Sequence, residues 1–353
     1  MFSSSRLKVF VLSALILMSA ASAQTLTVLT HDSFAISEEV IAKFTQETGI
    51  EVEFIAGGDA GETLNRAILT KNNPIADVLY GVDNSLLARA KAADLFEPYE
   101  SPVLDQVASR YQFDPEHSLT PTNVGYVNFN IDKAYFAEQG VTPPADLMDL
   151  TQAAYKGLTV VENPATSSPG LAFMLATIAR FGETGDYTWL DYWAELRDNE
   201  LMVVSGWNDA YYSAFSLYGG DRPIVLSYAS SPAAEVMFAE APLSEAPTAN
   251  LFCETCVFEQ IEGVGILKGS KHRQEAQAFI DFMLSEDFQA DIAANMFVYP
   301  VREGTPLPEA FLDYSQIPSE EESASLEPSE IEGNLKTWLL DWTRVVEQGQ
   351  APR

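Results

Sequence analysis

Residues 25–58 read TLTVLTHDSFAISEEVIAKFTQETGIEVEFIAGG, and the architecture follows from the way the hydrophobic period changes along them. Residues 25–30 are rich in β-branched side chains, which suit a strand. Ser37 stands where a helix cap belongs, and Val40, Ile41, Phe44 and Thr48 share one helical face before Gly49 ends the run. Ile50, Val52 and Phe54 then alternate with Glu51 and Glu53, the period of a half-buried strand. Past the loop Gly57-Gly58-Asp59, the spacing of Leu64 and Ile68 predicts a second helix, and residues 77–80 a third strand. A β-α-β-α-β opening needs helices layered on a sheet, so the fold class is α/β.

The same alternation resumes after Pro121. Strands are expected at 124–131, 157–161 and 223–228, with an apolar helix over 171–181. Residues 263–267 read as another buried strand, followed by a helix with Ala276, Phe279, Ile280 and Met283 on one face. The tail, 335–346, is an amphipathic helix carrying Trp338, Leu339, Trp342 and Val345. Between them, residues 309–333 are acidic, bear Pro318 and Pro328, and read as a surface connection. There is no internal repeat. Two α/β units without a long linker predict two lobes on short hinge strands, with a cleft between them.

At the amino end, Arg6 and Lys8 precede an apolar run over 9–21 that closes on Ala21-Ser22-Ala23, the pattern of a signal peptide cleaved near Ala23. The run is short for a membrane span and no cysteine lies near the cleavage point, so a soluble exported chain is expected from about Gln24. The 51 acidic residues against 20 basic ones leave a net charge of −31. Such a field repels nucleic acid and anionic membrane surfaces; it favours a cationic ligand, although solubility alone also explains it. Cys253 and Cys256 form a Cys-Glu-Thr-Cys tetrapeptide, for which a local disulfide is the expectation in an oxidising compartment. Two sulfurs do not complete a zinc site, and their neighbours Phe252, Val257 and Phe258 look like strand rather than the helix start of a redox motif.

The motifs of catalysis are missing. The sequence has no G-x-S-x-G elbow, H-E-x-x-H, phosphate-binding P-loop or G-x-G-x-x-G, and only His31, His117 and His272 as imidazoles. Four loops instead have compositions suited to gripping a ligand. Thr30-His31-Asp32-Ser33-Phe34 and Gly57-Gly58-Asp59-Ala60-Gly61 follow strands, where α/β layers open their crevice, though turns or helix caps account for them equally well. The loop 163–170, Asn-Pro-Ala-Thr-Ser-Ser-Pro-Gly, enters an apolar helix; it is either an anion grip or a plain capping run. Ser205-Gly206-Trp207-Asn208 and Ser227-Tyr228-Ala229-Ser230-Ser231-Pro232 offer an indole face and a polar strand end, with a buried core tryptophan as the alternative.

Taken in order, these segments resemble the periplasmic thiamine-binding proteins of ABC importers across nearly the whole mature chain. The resemblance rests on Leu26-Thr27-Val28 with Asp32-Ser33-Phe34, Leu64-Asn65-Arg66, and Ala76-Asp77-Val78 with Gly81 and Asp83-Asn84. It continues through 166–171 (Thr-Ser-Ser-Pro-Gly-Leu), Gly206-Trp207, Leu226-Ser227-Tyr228 with Ser231-Pro232, and Tyr299-Pro300-Val301. It implies a two-lobed class II periplasmic-binding-protein fold with the ligand cleft between the lobes. The implied division is a leader at 1–23, lobe one at 24–123, lobe two at 124–258, a return to lobe one at 259–300, and a C-terminal helical segment, 301–353, packed on the lobes.

The same resemblance implies a periplasmic receptor, monomeric and without cofactor, metal or catalytic residue. Its ligands would be thiamine, thiamine monophosphate and thiamine diphosphate, delivered to the transporter's permease subunits. Asp59 and Ala60 fall on the ligand contacts of lobe one, Ser167 and Ser168 in the phosphate loop, Trp207 on the stacking tryptophan, and Tyr228, Ala229, Ser230 and Ser231 on the second polar strand end. Where the family carries aromatics this chain has His31, Ala234 and Phe297, and the Cys253/Cys256 pair is outside the family pattern. Two rivals share the fold. One is a receptor for ferric ion, through Tyr211-Tyr212, or for a polyamine or a pyrimidine. The other is a thiaminase-type enzyme, which needs a cleft cysteine although none precedes Cys253.

Overall fold

A computed structural model describes residues 24–353. The leader and its cleavage point lie outside the described residues. The chain begins with β1 (Gln24–Thr30), α1 (Glu38–Thr48), β2 (Ile50–Ala56), α2 (Ala60–Thr70) and β3 (Val78–Asp83), the order that the hydrophobic periods predict. Ser37 accepts from the Val40 N–H at 3.4 Å to open α1, and Gly49, at φ 74°, closes it in the left-handed region where a Cβ is costly. A short helix α3 (Leu87–Ala92) and strand β4 (Phe96–Glu97) complete the first part of lobe one.

The long strand β5 (Thr120–Asp132) then leaves lobe one for lobe two. There the chain forms α4 (Lys133–Gln139), β6 (Thr159–Glu162), α5 (Ser168–Phe181), α6 (Trp189–Asp198), β7 (Met202–Val204), β8 (Ile224–Tyr228), α7 (Ser231–Met237) and β9 (Thr248–Leu251). The second long strand, β10 (Val257–Leu267), returns to lobe one, where α8 (Arg273–Met283), α9 (Glu286–Asn295) and β11 (Tyr299–Pro300) follow. The described strands make one sheet in the order β2-β1-β3-β10-β5-β8-β6-β7, with the short strands paired at its flanks.

β5 and β10 are the hinge, and their registers show it. β10 pairs with β3 of lobe one from Glu262 to Ile266, while its Phe258–Glu262 half pairs with β5; the other end of β5, Val127–Ile131, pairs with β8 of lobe two. Both ladders of β10 slip at residues 262–264, an irregularity that bends the strand where it passes between lobes. The lobe boundaries expected at 123/124 and 258/259 therefore fall inside the two crossing strands. Both strands run further than their apolar cores suggested, because backbone pairing continues through polar residues such as Thr120 and Gln260.

The C-terminal segment contains α10 (Glu309–Tyr314), β12 (Ser323–Ala324) and α11 (Pro328–Trp342), which runs into a π-helical turn at Thr343–Glu347. Residues 309–333 are thus more than a surface connection: Phe311, Ala324 and Ile331 are buried, and β12 pairs with β10. The acidic composition misled here because the apolar residues are few and each docks on a different partner. α11 packs on α3 of lobe one and α6 of lobe two. Trp342 meets Trp193 edge-to-face with centroids 5.5 Å apart, a geometry worth about 0.5–1.5 kcal/mol beyond burial.

The expected disulfide is not present. Cys253 and Cys256 are buried free thiols, and the turn between them, with Thr255 at φ 52°, aims the Cys256 sulfur at the Cys253 backbone, where it accepts from the amide N–H at 2.7 Å. The Cys253 thiol is shifted down by its contact with Cys256, whose own thiol is pushed up. Among the described residues no helix is long and apolar enough to cross a membrane.

Candidate ligand-binding site

The loop ends of lobe one meet those of lobe two directly. The first two loops are tied together by the Asp32 N–H, which donates to the Gly58 carbonyl at 2.9 Å. Asp59 caps α2, accepting from the Ala60 N–H at 2.6 Å, and the same carboxylate crosses the cleft. Its Oδ2 accepts from the Trp207 N–H at 2.9 Å, and its Oδ1 lies 3.3 Å from the Ser168 N–H at the start of α5. Alongside, the Glu62 N–H donates to the Thr166 carbonyl of lobe two at 3.0 Å. A Cβ on Gly61 would stand 2.6 Å from that carbonyl, so glycine is what lets the two backbones touch. The lobes are closed on each other.

Behind this seam lies a network of buried acids. Gln260 on β10 donates from Nε2 to Ser168 Oγ at 2.7 Å and to Asp83, and accepts from the Tyr228 hydroxyl at 2.8 Å. Glu262 pairs with His31 Nε2 at 3.3 Å and accepts from the Tyr80 hydroxyl, also at 3.3 Å. Burial opposes the charged form of His31, but Glu262, Asp59 and Asp32 outweigh it and hold the imidazole above its ordinary value. Burial likewise raises Asp59, and raises Asp83 to about 6. Glu162, at the end of β6, is pushed well up, first by burial and then by Asp59; it is fully buried and neither carboxyl oxygen has a partner. Tyr228 is pushed up by burial and then by Glu262, Asp59, Asp83 and Glu162 together. The interior of the cleft is thus rich in carboxyl groups, with the His31 imidazole paired to Glu262.

The Trp207 indole is fixed on three sides. Its Nε1–H donates to Ser227 Oγ at 2.8 Å, Tyr211 stacks on one ring face at 4.9 Å and 16°, and Tyr212 meets its edge. Ser227 Oγ is in turn 3.1 Å from Ser231 Oγ. The indole as a whole is half-buried. Ser167 precedes α5 with its hydroxyl buried beside the Asp59 carboxyl, a polar group at a helix start.

The structure therefore brings together His31, Asp59, Ala60, Ser167, Ser168, Trp207, Tyr228 and Ser231. Ala229 belongs to the packing instead: it is fully buried, its N–H donates to the Tyr126 carbonyl at 2.8 Å and its own carbonyl accepts from Asn250. Ser230 is buried at the entry to α7 and contributes no side-chain cap. Ala60 offers backbone only. Glu162, Gln260 and Glu262 escaped the sequence reading, since single polar residues inside strands carry no motif. An open depression of about 810 Å³ lies beside His31, but residues 30–56 alone line it, including Phe34, Ile41 and Phe54, so it does not bridge the lobes.

Tyr211 and Tyr212 do not form a metal pair. The Tyr211 hydroxyl donates to Glu235 at 2.5 Å, burial pushes its ionisation well up, and the two rings stand at 86°. Among the described residues no group of three or more His, Cys, Asp or Glu is placed to hold a metal ion. The thiols flank Arg180, whose Nη1 is 3.2 Å from the Cys253 sulfur, in the last turn of α5. Ser168 and the cleft are at the other end of that helix, about 18 Å away by helical rise.

Two lobes on crossing strands, closed over a polar seam, define a solute receptor of the class II periplasmic-binding-protein fold. The chain belongs to the family of bacterial extracellular solute-binding proteins, which it matches over residues 39–319. It is 30% identical to the thiamine-binding periplasmic protein of Brucella suis over 92% of both chains. It is 26% identical to iron uptake protein A1 of Synechocystis over 84% of this chain and 81% of that one. Among solved structures, a periplasmic thiamin binding protein superposes with a TM-score of 0.80 at 28% identity, covering 92% of this chain and 96% of the other.

Proposed function

We propose that this protein is the periplasmic receptor of an ABC importer that takes thiamine, thiamine monophosphate or thiamine diphosphate into the cleft and presents it to the permease. The observation that carries the reading is the Asp59 carboxyl at the seam between the lobes, accepting from the Trp207 N–H at 2.9 Å, with Asp83 and Glu262 buried behind it. Such an interior suits a cationic ligand, as thiazolium is. Trp207 supports it with a rigid indole face for a ring, worth about 0.5–2 kcal/mol as a cation–π contact. The buried Ser167 hydroxyl and the α5 amides support a hydroxyethyl or phosphate tail. Asp59 occupies the Ser168 amide in the closed form, so a phosphate takes its place there once the lobes part.

On this reading the protein works as a monomer, without cofactor or turnover, and its net charge of −31 keeps it off nucleic acid and anionic membranes. The Cys253/Cys256 thiols at the far end of α5 have no part in ligand chemistry. The test is calorimetric titration of ligand-stripped protein with thiamine and its two phosphate esters. Saturable binding at micromolar concentration is expected, together with a more compact solution-scattering profile if the empty lobes open. Absence of binding to all three forms overturns the ligand assignment.

A further inference from the structure

Two buried glutamates end up in opposite conditions, and the one without partners points to an unassigned contact. Glu162 is the last residue of β6, in register with Val204 of β7. Strand alternation puts its side chain on the same face as Val160, which packs with Tyr211, Phe215 and Val225 in the cluster against which Trp207 rests. It therefore emerges at the carboxyl end of the sheet, on the Trp207 side, where α/β strands open into the ligand crevice. It is fully buried and both oxygens lack a hydrogen-bond partner. A buried carboxyl without a partner on another residue destabilises a fold.

We infer that Glu162 is a ligand-contacting residue of the cleft, its carboxyl pairing with the acceptor–donor edge of a nitrogen heterocycle, as an aminopyrimidine presents. The inference rests on the thiamine reading and adds the group that reads the pyrimidine half. Burial and the neighbouring Asp59 favour the protonated form, and a protonated carboxyl presents one O–H donor and one carbonyl acceptor side by side. A ring nitrogen with an adjacent amino group is its complement: the nitrogen accepts, the amino group donates. In the closed form the carboxyl is covered, so ligand reaches it only when Asp59 releases the Trp207 and Ser168 amides.

The test compares wild type, Glu162→Leu and Glu162→Gln by thiamine calorimetry and by thermal melting without ligand. Glu162→Leu should weaken thiamine binding at least tenfold while melting no lower than wild type, because an unpaired carboxyl has been replaced by an apolar group of similar volume. Glu162→Gln, whose amide keeps a donor and an acceptor, should bind within about threefold of wild type. Leucine-variant binding within twofold of wild type, or a melting point several degrees lower, overturns the inference and leaves the thiamine reading intact. A glutamine variant as weak as the leucine variant overturns the neutral donor–acceptor pairing. Failure of wild type itself to bind thiamine overturns the thiamine reading and this one with it.

Discussion

The hinge and the floor of lobe two each bury a glutamate, and the protein treats them in opposite ways. Glu262, on the crossing strand β10, is opposed by burial, but His31 alongside and the hydroxyl of Tyr80 bring its carboxyl below its ordinary value. Glu162, on β6, has no partner and is pushed well up. The first arrangement is complete without a ligand and ties β10 to the loop after β1 and to β3. The second is incomplete, and in a fold of marginal stability an unrecovered cost of that kind is tolerated where function uses it.

Removing a partner from the complete site should have the largest effect. Glu262→Ala leaves the His31 imidazole buried without its counter-charge and should destabilise the protein by about 3–5 kcal/mol, read from urea melts. A loss below about 1 kcal/mol would break the contrast between the two glutamates. On the lobe-two side the effect should appear in affinity. Trp207→Ala should weaken thiamine binding by more than tenfold, about 1.4 kcal/mol or more, and unchanged binding would remove the indole from the site.

A smaller effect is expected with pH. His31 has a raised value, so its contribution is complete below its ordinary 6.5 and is lost as pH rises through the higher folded value. Glu262 has a lowered value, so its contribution is complete above its ordinary 4.5 and is lost as pH falls through the lower folded value. The stability difference between wild type and the double variant His31→Gln/Glu262→Gln should therefore be greatest between about 4.5 and 6.5. Taking the difference matters, because Asp83, raised to about 6, also loses stability as pH rises, opposite to Glu262 and in the same direction as His31. A flat difference across pH 4 to 9 would show that the pair does not titrate as a unit. The smallest effect belongs to the exposed Lys43–Asp287 pair: Lys43→Ala should leave the melting midpoint unchanged within error, since solvent screens such pairs.

Much of this was legible along the chain. α1 announced itself through Ser37, the Phe44 face and Gly49, and β2 through the alternation of Ile50, Val52 and Phe54, because both are governed by local period and capping. Asp59, Ser168 and Trp207 lie on loops after strands, where composition departs from that of a core. Glu162, Gln260 and Glu262 were silent because a polar residue inside a strand is given its meaning by whatever stands across the sheet. The residues 309–333 were misjudged for the same reason: Phe311 and Ile331 are isolated in sequence and buried by partners far away in it.

The sequence by itself determined the α/β class, the paired lobes and the loops at the strand ends, since these depend on periodicity and turn chemistry within a few residues. Only the tertiary structure decided that Asp59 bridges the lobes, that Cys253 and Cys256 remain separate thiols, and that Glu262 is paired while Glu162 is not. Those outcomes depend on burial and on partners about 110 to 230 residues away along the chain, or on the side-chain directions of a single turn, and none of these leaves a mark on local pattern.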